Sequence, residues 1–331
     1  MKGLMARATS TAQIAKGVWR IGTSAGERQV YYYLLDAGDG LVLFDAGLKS
    51  SAASVIKLLA EIGHPTTDLQ TIVISHSHND HIGGLALLAE TSGATVLAHE
   101  HAQGWMLDHE RQYLERFKQY KNDVSLPPGL HADFFDELGR PWLADRWLDQ
   151  LPHELQHSRK MMISPTPGHS ADSIALWLPE EKLLFCGDAF GGPGIASHLP
   201  VYDDIEAYQD TLARIAKLDP NMLLTAHFEM IENENVEPAL LQARRLTEQL
   251  DEFILAALQK AKGGLTLPFL TQMVCARFGR VFAASAFTTV LAHLRAAEQN
   301  HLVFQQDNNW CVGKPVQRAL PILPVAPSGI A

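Results

Sequence analysis

The sequence predicts a mixed α/β (α+β) chain in which strand-like and helix-like runs alternate, followed by a small, mostly helical region. Three observations carry this prediction. Short apolar, β-branched runs such as Thr71-Ile72-Val73-Ile74 recur along the first two thirds. Amphipathic runs at helical spacing, such as Glu206 to Leu218, lie between them. At 331 residues and 47% hydrophobic content, the chain can bury the core of one large domain plus a smaller one.

Taken in order, Val18 to Gly22, Val30 to Leu35 and Leu41 to Phe44 read as a strand meander, with Gly38-Asp39-Gly40 turning between the last two. Tyr31, Tyr32 and Tyr33 fit cross-strand and core packing. Ser50 to Ile62 has helical spacing with Ser50 or Ser51 as N-cap, and Gly63-His64-Pro65 stops it. Thr71 to Ser75 is a buried strand, Ile82 to Ala89 a helix and Thr95 to Ala98 a strand. His99 and His101 follow as loop or cap residues, since no carboxylate follows the pair at the right offset. Gln103 to Arg159 is rich in helix formers and aromatics and is broken at Leu126-Pro127-Pro128-Gly129, which suggests a helical insertion. Lys160 to Ser164, Leu183 to Phe185 and Leu223 to Ala226 are further strands.

Chemistry concentrates where strands end. His76-Ser77-His78-Asn79-Asp80-His81-Ile82-Gly83-Gly84 follows the strand ending at Ser75 and packs three imidazoles and a carboxylate into six positions. His76 and His78 are two apart, so in an extended segment they point the same way and can share one ion, while Asp80 and His81 can face a second. Imidazole with carboxylate favours zinc or another first-row divalent ion over calcium or magnesium. Three later strand ends each deliver one further residue of ligand type: His169, Asp188 and His227.

These residues resemble the metallo-β-lactamase superfamily, through the HxHxDH motif at His76 to His81 and the downstream His169, Asp188 and His227. The resemblance spans Gly17 to Glu229 and implies a four-layer αββα sandwich holding two divalent ions, zinc first, with iron or manganese also fitting. It implies that His76, His78 and His169 hold one ion and Asp80, His81 and His227 the other, with Asp188 bridging. Asp45 matches the family's strand-end Asp that braces the ligand loop, or simply turns the chain before Gly47.

Two such ions would lower the pKa of a bridging water until hydroxide exists at neutral pH, and one would polarise the scissile carbonyl or phosphoryl oxygen. Asp80 would orient that hydroxide and pass its proton to the leaving group. The expected reaction is hydrolysis of a small carboxyl-type substrate such as a thioester, ester or lactone. A phosphodiesterase or endoribonuclease and a catalytically inactive metal-binding scaffold are the alternatives. His78 stands where redox-active di-iron relatives carry Glu, which favours hydrolysis. Gly191 stands where quorum-sensing lactonases place Tyr, and no basic cluster of the glyoxalase II kind lies near Asp188, so the substrate stays open. The insertion would form a wall or lid whose aromatics line the pocket. Phe190, in the Gly-rich loop after Asp188, and His198 and Tyr202 beyond it would reach towards substrate.

After the catalytic region, expected over 1–235, Val236 to Ala261, Pro268 to Phe278 and Ser285 to Gln299 read as helices. Asn300 to Phe304 and Asn309 to Val312 then read as a small hairpin. This order over 236–314 resembles the winged-helix domain appended to some members of the superfamily. Ser285 to Gln299 carries only Arg295 as a cation, too few for phosphate contacts along a nucleic acid, so dimerisation or lid support is the expected role. Pro315 to Ala331 reads as an extended Pro-rich tail.

The net charge of −10 is uneven: Met1 to Ala243 holds 18 basic and 32 acidic residues, the remainder 9 and 5. An acidic catalytic region disfavours polyanions by long-range attraction. Cys186, Cys275 and Cys311 are widely spaced and fit a reducing compartment, with Cys186 a core thiol. Neither a signal-peptide core nor an apolar run near the ~18 residues of a membrane span is present, and a cytoplasmic protein is expected.

Overall fold

Two sheets lie face to face in the computed structural model, which describes residues 9–25, 28–117, 120, 126, 128–192 and 197–313. The first has seven strands in sequential order: β1 (Thr9–Ala15), β2 (Val18–Ala25), β3 (Arg28–Asp36), β4 (Leu41–Phe44), β5 (Leu69–Val73), β6 (Thr95–His99) and β7 (Arg146–Leu148). It begins as an antiparallel meander and turns parallel from β4 onward. Helices α1 (Ala52–Glu61), α2 (Asn79–Ile82), α3 (Leu85–Ser92), α4 (Gln103–Leu107), α5 (His109–Arg116) and α6 (Leu130–Asp136) connect the later strands.

The second sheet has six strands: β8 (His153–Glu154), β9 (Met162–Pro165), β10 (Ile174–Leu178), β11 (Leu183–Gly187), β12 (Met222–Thr225) and β13 (Ile231–Glu232). Helices α7 (Ile205–Leu218) and α8 (Val236–Lys260) cover it. The chain closes with β14 (Leu265–Thr266), α9 (Leu267–Phe278), α10 (Ala284–Gln299), β15 (Val303–Gln306) and β16 (Asn309–Val312), whose strands form a third sheet in the order β14-β16-β15.

Period-two alternation divides the side chains of β3 between two cores. Tyr31, Tyr33 and Leu35 point between the sheets and meet Val42, Phe44, Ile163, Leu176 and Phe185; Tyr32 and Leu34 point outward to α1 and α3. A third apolar layer lies between β10–β12 and helices α7 and α8, which makes the architecture an αββα sandwich. Helix α7 is cut for this place: Asp204 caps its start by accepting from the Ala207 N–H at 2.9 Å, and its buried positions recur at helical spacing as Ile205, Tyr208, Leu212 and Ile215.

Helix α8 belongs to two cores at once. Val236, Leu240 and Ala243 pack on the second sheet, while Leu250, Ile254, Ala257 and Leu258 pack with α9, α10, Val303 and Trp310. The terminal core also takes in Leu199, and α10 returns Ala292 to the sandwich.

Several expectations need correction. The stretch 103–159 is helical only to Asp136; Arg146–Leu148 instead extends the parallel edge of the first sheet, because Asp145 pairs with β6 through Val96 by both its N–H and its carboxylate. The expected helix from Ile82 is two, with α2 beginning inside the ligand motif. Ser51 does not cap α1 by its side chain: its hydroxyl accepts from the Leu48 N–H and donates to Thr23. Strands β1, β8, β10, β13 and β14 have no counterpart in the sequence reading. Part of the Pro break, residues 193–196 of the Gly-rich loop and the tail from 314 lie outside the described residues.

Candidate metal centre

Strand direction brings the ligand-type residues to one edge. Strands β4 and β5 are parallel, β11 and β12 are parallel, and β9, two antiparallel steps from β11, runs the same way. Their C-terminal ends carry Asp45, His76 to His81, His169, Asp188 and His227. Backbone bonds from Ile174 N–H to Ser75 O at 2.8 Å and from Tyr31 N–H to Ala226 O at 2.7 Å stitch the two sheets together beside that edge.

Within the motif, His78 stands as the extended residue before α2, so Asp80 and His81 sit on a helical turn. Gly83 and Gly84 follow because this turn is pressed against the chain: a Cβ would collide with Glu137 O and Lys49 N at the first, and with Ala46 O at the second. Ser77 is clamped from both sides, its N–H donating to Asp172 at 2.7 Å and its carbonyl accepting from Gln112 Nε2 at 2.6 Å.

All seven sequence-predicted ligand residues converge. Nε2 of His76 and Nε2 of His169 lie 2.9 and 3.0 Å from Nδ1 of His78. Asp188 Oδ2 is 3.3 Å from His169 Nε2 and 3.2 Å from His227 Nε2, and its Oδ1 is 3.5 Å from His81 Nε2. Asp80 lies 3.4 Å from His227 Nε2. The set divides into His76, His78, His169 and Asp188 on one side and Asp80, His81 and His227 on the other.

The tautomers are set from outside. Nδ1–H of His169 donates to Val201 O at 2.8 Å, that of His227 to Gln29 O at 2.9 Å, and that of His81 to Asp45 Oδ2 at 2.8 Å; His76 Nδ1 lies 3.0 Å from Ser75 Oγ. Each of these four rings therefore turns its Nε2 into the cluster, where a bound cation would take the place of any proton it carries. His81 Nε2 and Asp188 Oδ1 are buried with no hydrogen-bond partner among the described residues. A buried polar atom without a partner is costly, and a cation placed between these two atoms would satisfy both. The donor set, five ring nitrogens and two carboxylates, fits first-row divalent ions.

Electrostatics agree. Burial, and then the neighbouring imidazoles and Arg116, hold His76 and His78 well below the usual imidazole range, in the neutral form that binds cations. Burial would raise Asp188, but His227, His81 and His169 outweigh it and keep the carboxylate ionised. For His81 burial would lower the pKa; the charges of Asp45, Asp188 and Asp80 overcome this and push it up to about 10. A ring raised in this way keeps its proton at neutral pH, so a cation must displace it. We expect uptake at His81 to release about one proton at pH 7 and affinity to rise with pH up to about 10, read by calorimetry in buffers of different ionisation enthalpy.

Asp45 does more than turn the chain. Held at φ 66°, it accepts from Ser75 N–H at 2.7 Å and Ser75 Oγ at 2.8 Å as well as from His81. Asn tolerates this backbone but loses an acceptor, so Asp45→Asn is expected to weaken cation binding about 10- to 100-fold with the fold retained, measured by chelator competition.

Above the cluster opens a cavity of about 1010 Å³ whose walls include Trp105, Phe117, Phe134, Phe190, Phe228 and Phe282. Trp105 stacks on His78 with ring centres 5.6 Å apart. Arg116, which donates to Asn79 Oδ1 at 3.0 Å, and Arg295 also reach the cavity. Phe190 and His198 are among its lining residues; Tyr202 is not. Tyr202 is fully buried, stacked on Tyr208 and hydrogen-bonded to His293, because its partners lie on the far side of the loop. Cys186 is a core thiol, raised to about 12 by burial and then by Asp188. His99 accepts from the His101 N–H as a helix cap. Sequence reasoning missed Asp172 and Gln112; the polar run Ser170 to Ser173 beside His169 hinted at the first, and nothing marked the second.

A family model described as metallo-beta-lactamase superfamily matches residues 25–227, more than half of the chain. The beta-lactamase-like protein 2 homolog of Caenorhabditis elegans is 24% identical over 222 residues, 67% of this chain and 59% of that protein, so the chain spans less than two thirds of that relative's length. The probable metallo-hydrolase YybB of Bacillus subtilis is 25% identical over 61% of this chain and 82% of its own. A solved metallo-beta-lactamase family protein from Thermus thermophilus superposes with a TM-score of 0.74 at 20% identity, covering 91% of this chain and 100% of that one, an extent that includes residues beyond 227.

Proposed function

The chain belongs to the metallo-β-lactamase superfamily, and from that premise we propose that it is a metal-dependent hydrolase of a small carboxyl-type substrate: a thioester, ester or lactone. His76, His78 and His169 would hold one divalent ion and Asp80, His81 and His227 the other, with Asp188, which stands with the first group and lies 3.5 Å from His81 and 3.2 Å from His227, shared between them; zinc suits these donors best, and iron or manganese also fit. When bound, such ions activate water at neutral pH and polarise the bond to be cut.

The protein supplies the rest. Asp80, 20% exposed and 3.4 Å from His227, faces both the cluster and the cavity, where it can orient a water and carry a proton to the leaving group. Its burial opposes ionisation, but His81 and His227 outweigh this and hold it below the usual carboxylate range, so it stands ionised. The aromatic walls receive an apolar body and exclude water.

The C-terminal elements, a winged-helix-like module in this reading, contribute Phe282, Ser285, Thr288 and Arg295 to the same cavity. Walling the pocket is therefore the role we assign to them over reading nucleic acid. One observation carries the proposal: orphaned Asp188 Oδ1, from a residue that lines a cavity with aromatic walls, faces the equally orphaned and buried His81 Nε2 at 3.5 Å.

The test is turnover of p-nitrophenyl esters and acyl thioesters against bis-p-nitrophenyl phosphate and single-stranded RNA, each with and without chelator. Chelator-sensitive ester or thioester hydrolysis is expected. Cleavage confined to the phosphodiesters would replace this reading with the nuclease one, and no metal-dependent turnover on any of them would leave a binding scaffold.

A further inference from the structure

The segment 197–204 passes directly behind His169 and is held there from the C-terminal helices. Thr289 Oγ1 on α10 donates to Pro200 O at 2.7 Å. Two residues on, the Tyr202 hydroxyl lies 2.7 Å from His293 Nε2, also on α10, and His293 Nδ1 lies 2.6 Å from Asp251 Oδ1 on α8. In the neutral ring, with Nδ1–H donating to the carboxylate, Nε2 accepts and the tyrosine donates. Between these two anchors stands Val201, whose carbonyl accepts from His169 Nδ1 at 2.8 Å. Asp203, the residue after Tyr202, closes the loop from the other side, its N–H donating to Gly168 O at 2.8 Å.

We propose that Asp251, His293 and Tyr202, with Thr289, form a positioning relay through which the C-terminal helices fix the Val201 carbonyl and so aim His169 Nε2 into the cluster. This rests on the reading of His169 as a metal ligand. Tyr202 is 0% and His293 1% exposed, so neither has water to substitute for its partner, and a broken link must be taken up by movement of the segment. The Tyr202 ring is stacked on Tyr208, with centres 4.7 Å apart, and the Tyr208 hydroxyl accepts from Gly191 N–H at 3.0 Å. The relay therefore also touches the loop that follows Asp188. Carboxylate, imidazole and phenol in series hold a carbonyl more rigidly than one bond would, since each bond polarises the next. A carbonyl that sets a ligand's tautomer commonly influences metal affinity as strongly as 10- to 100-fold.

Tyr202→Phe removes one hydroxyl and keeps the ring stack. In the cobalt-loaded full chain, we expect it to weaken affinity about 10-fold in chelator competition and to shift the visible absorption of the ion, at temperatures well below melting. His293→Gln, which keeps an acceptor for the tyrosine, is expected to retain more of the affinity than His293→Phe. Should His293→Phe fail to fold, Thr289→Val loosens the same segment at Pro200 and is expected to move the same spectrum. Tyr202→Phe with wild-type affinity and spectrum, whatever its melting temperature, would overturn the relay. His169→Ala separates the two ideas. If it leaves cobalt binding unchanged, the ligand reading itself fails; if it weakens binding while Tyr202→Phe does not, only the relay fails.

Discussion

Asp188→Asn is expected to lower metal-dependent turnover by at least about 100-fold and to reduce bound ions from two per chain to one or none, with the fold intact. Asp188 is the residue both halves of the cluster share: its Oδ2 lies 3.2 to 3.9 Å from His227, His169 and His76, and its Oδ1 faces His81 at 3.5 Å. An amide of the same shape removes the negative charge and turns an N–H donor towards cations that need a lone pair. Removing the aspartate charge also takes away one of the three carboxylates that hold the His81 proton, so the variant's proton release on metal uptake should fall. Metal analysis and far-UV circular dichroism on the same sample separate loss of ions from loss of structure. A variant that keeps two ions and normal turnover would remove Asp188 from the site.

Gly168→Ala is expected to cost about 3 kcal/mol or more of stability and to weaken metal binding together with it. Gly168 adopts φ +132°, which an L side chain rarely takes, and a Cβ there would run into the backbone of Tyr208 on α7. Neither obstacle can rotate away. The helix start would have to move, and with it the Asp203 and Asp204 N–H groups that both donate to Gly168 O. His169 is the next residue, so the displacement passes straight into the cluster. Thermal unfolding and chelator competition should therefore shift in the same direction. Ala tolerated at wild-type stability would mean that α7 sits less tightly against this turn than the structure has it.

The convergence of seven ligand-type residues was legible in sequence because their signal is local. Six positions after one strand hold four of the seven, and the other three each end a short apolar run, so strand direction alone collects them at one edge. The supports were not legible because they cross the chain: Gln112 reaches Ser77 over 35 positions and Tyr202 reaches His293 over 91. Tyr202 was expected at substrate for that reason; its neighbours in sequence gave no hint that α8 and α10 would draw it inward. Strand β1 escaped notice because its first five residues are exposed and mostly polar, giving no apolar alternation to read. The insertion was overextended because Trp142 and Trp147 look like the aromatics before them, while Asp145, which pins this stretch to β6, looks like any surface acid.

The most direct measurement is anomalous diffraction from crystals of the chain loaded with a single divalent metal. Two peaks are expected, one among His76, His78 and His169 and one among Asp80, His81 and His227, with Asp188 touching both. Peaks elsewhere, or none at saturating metal, would contradict the assignment on which the hydrolase reading depends.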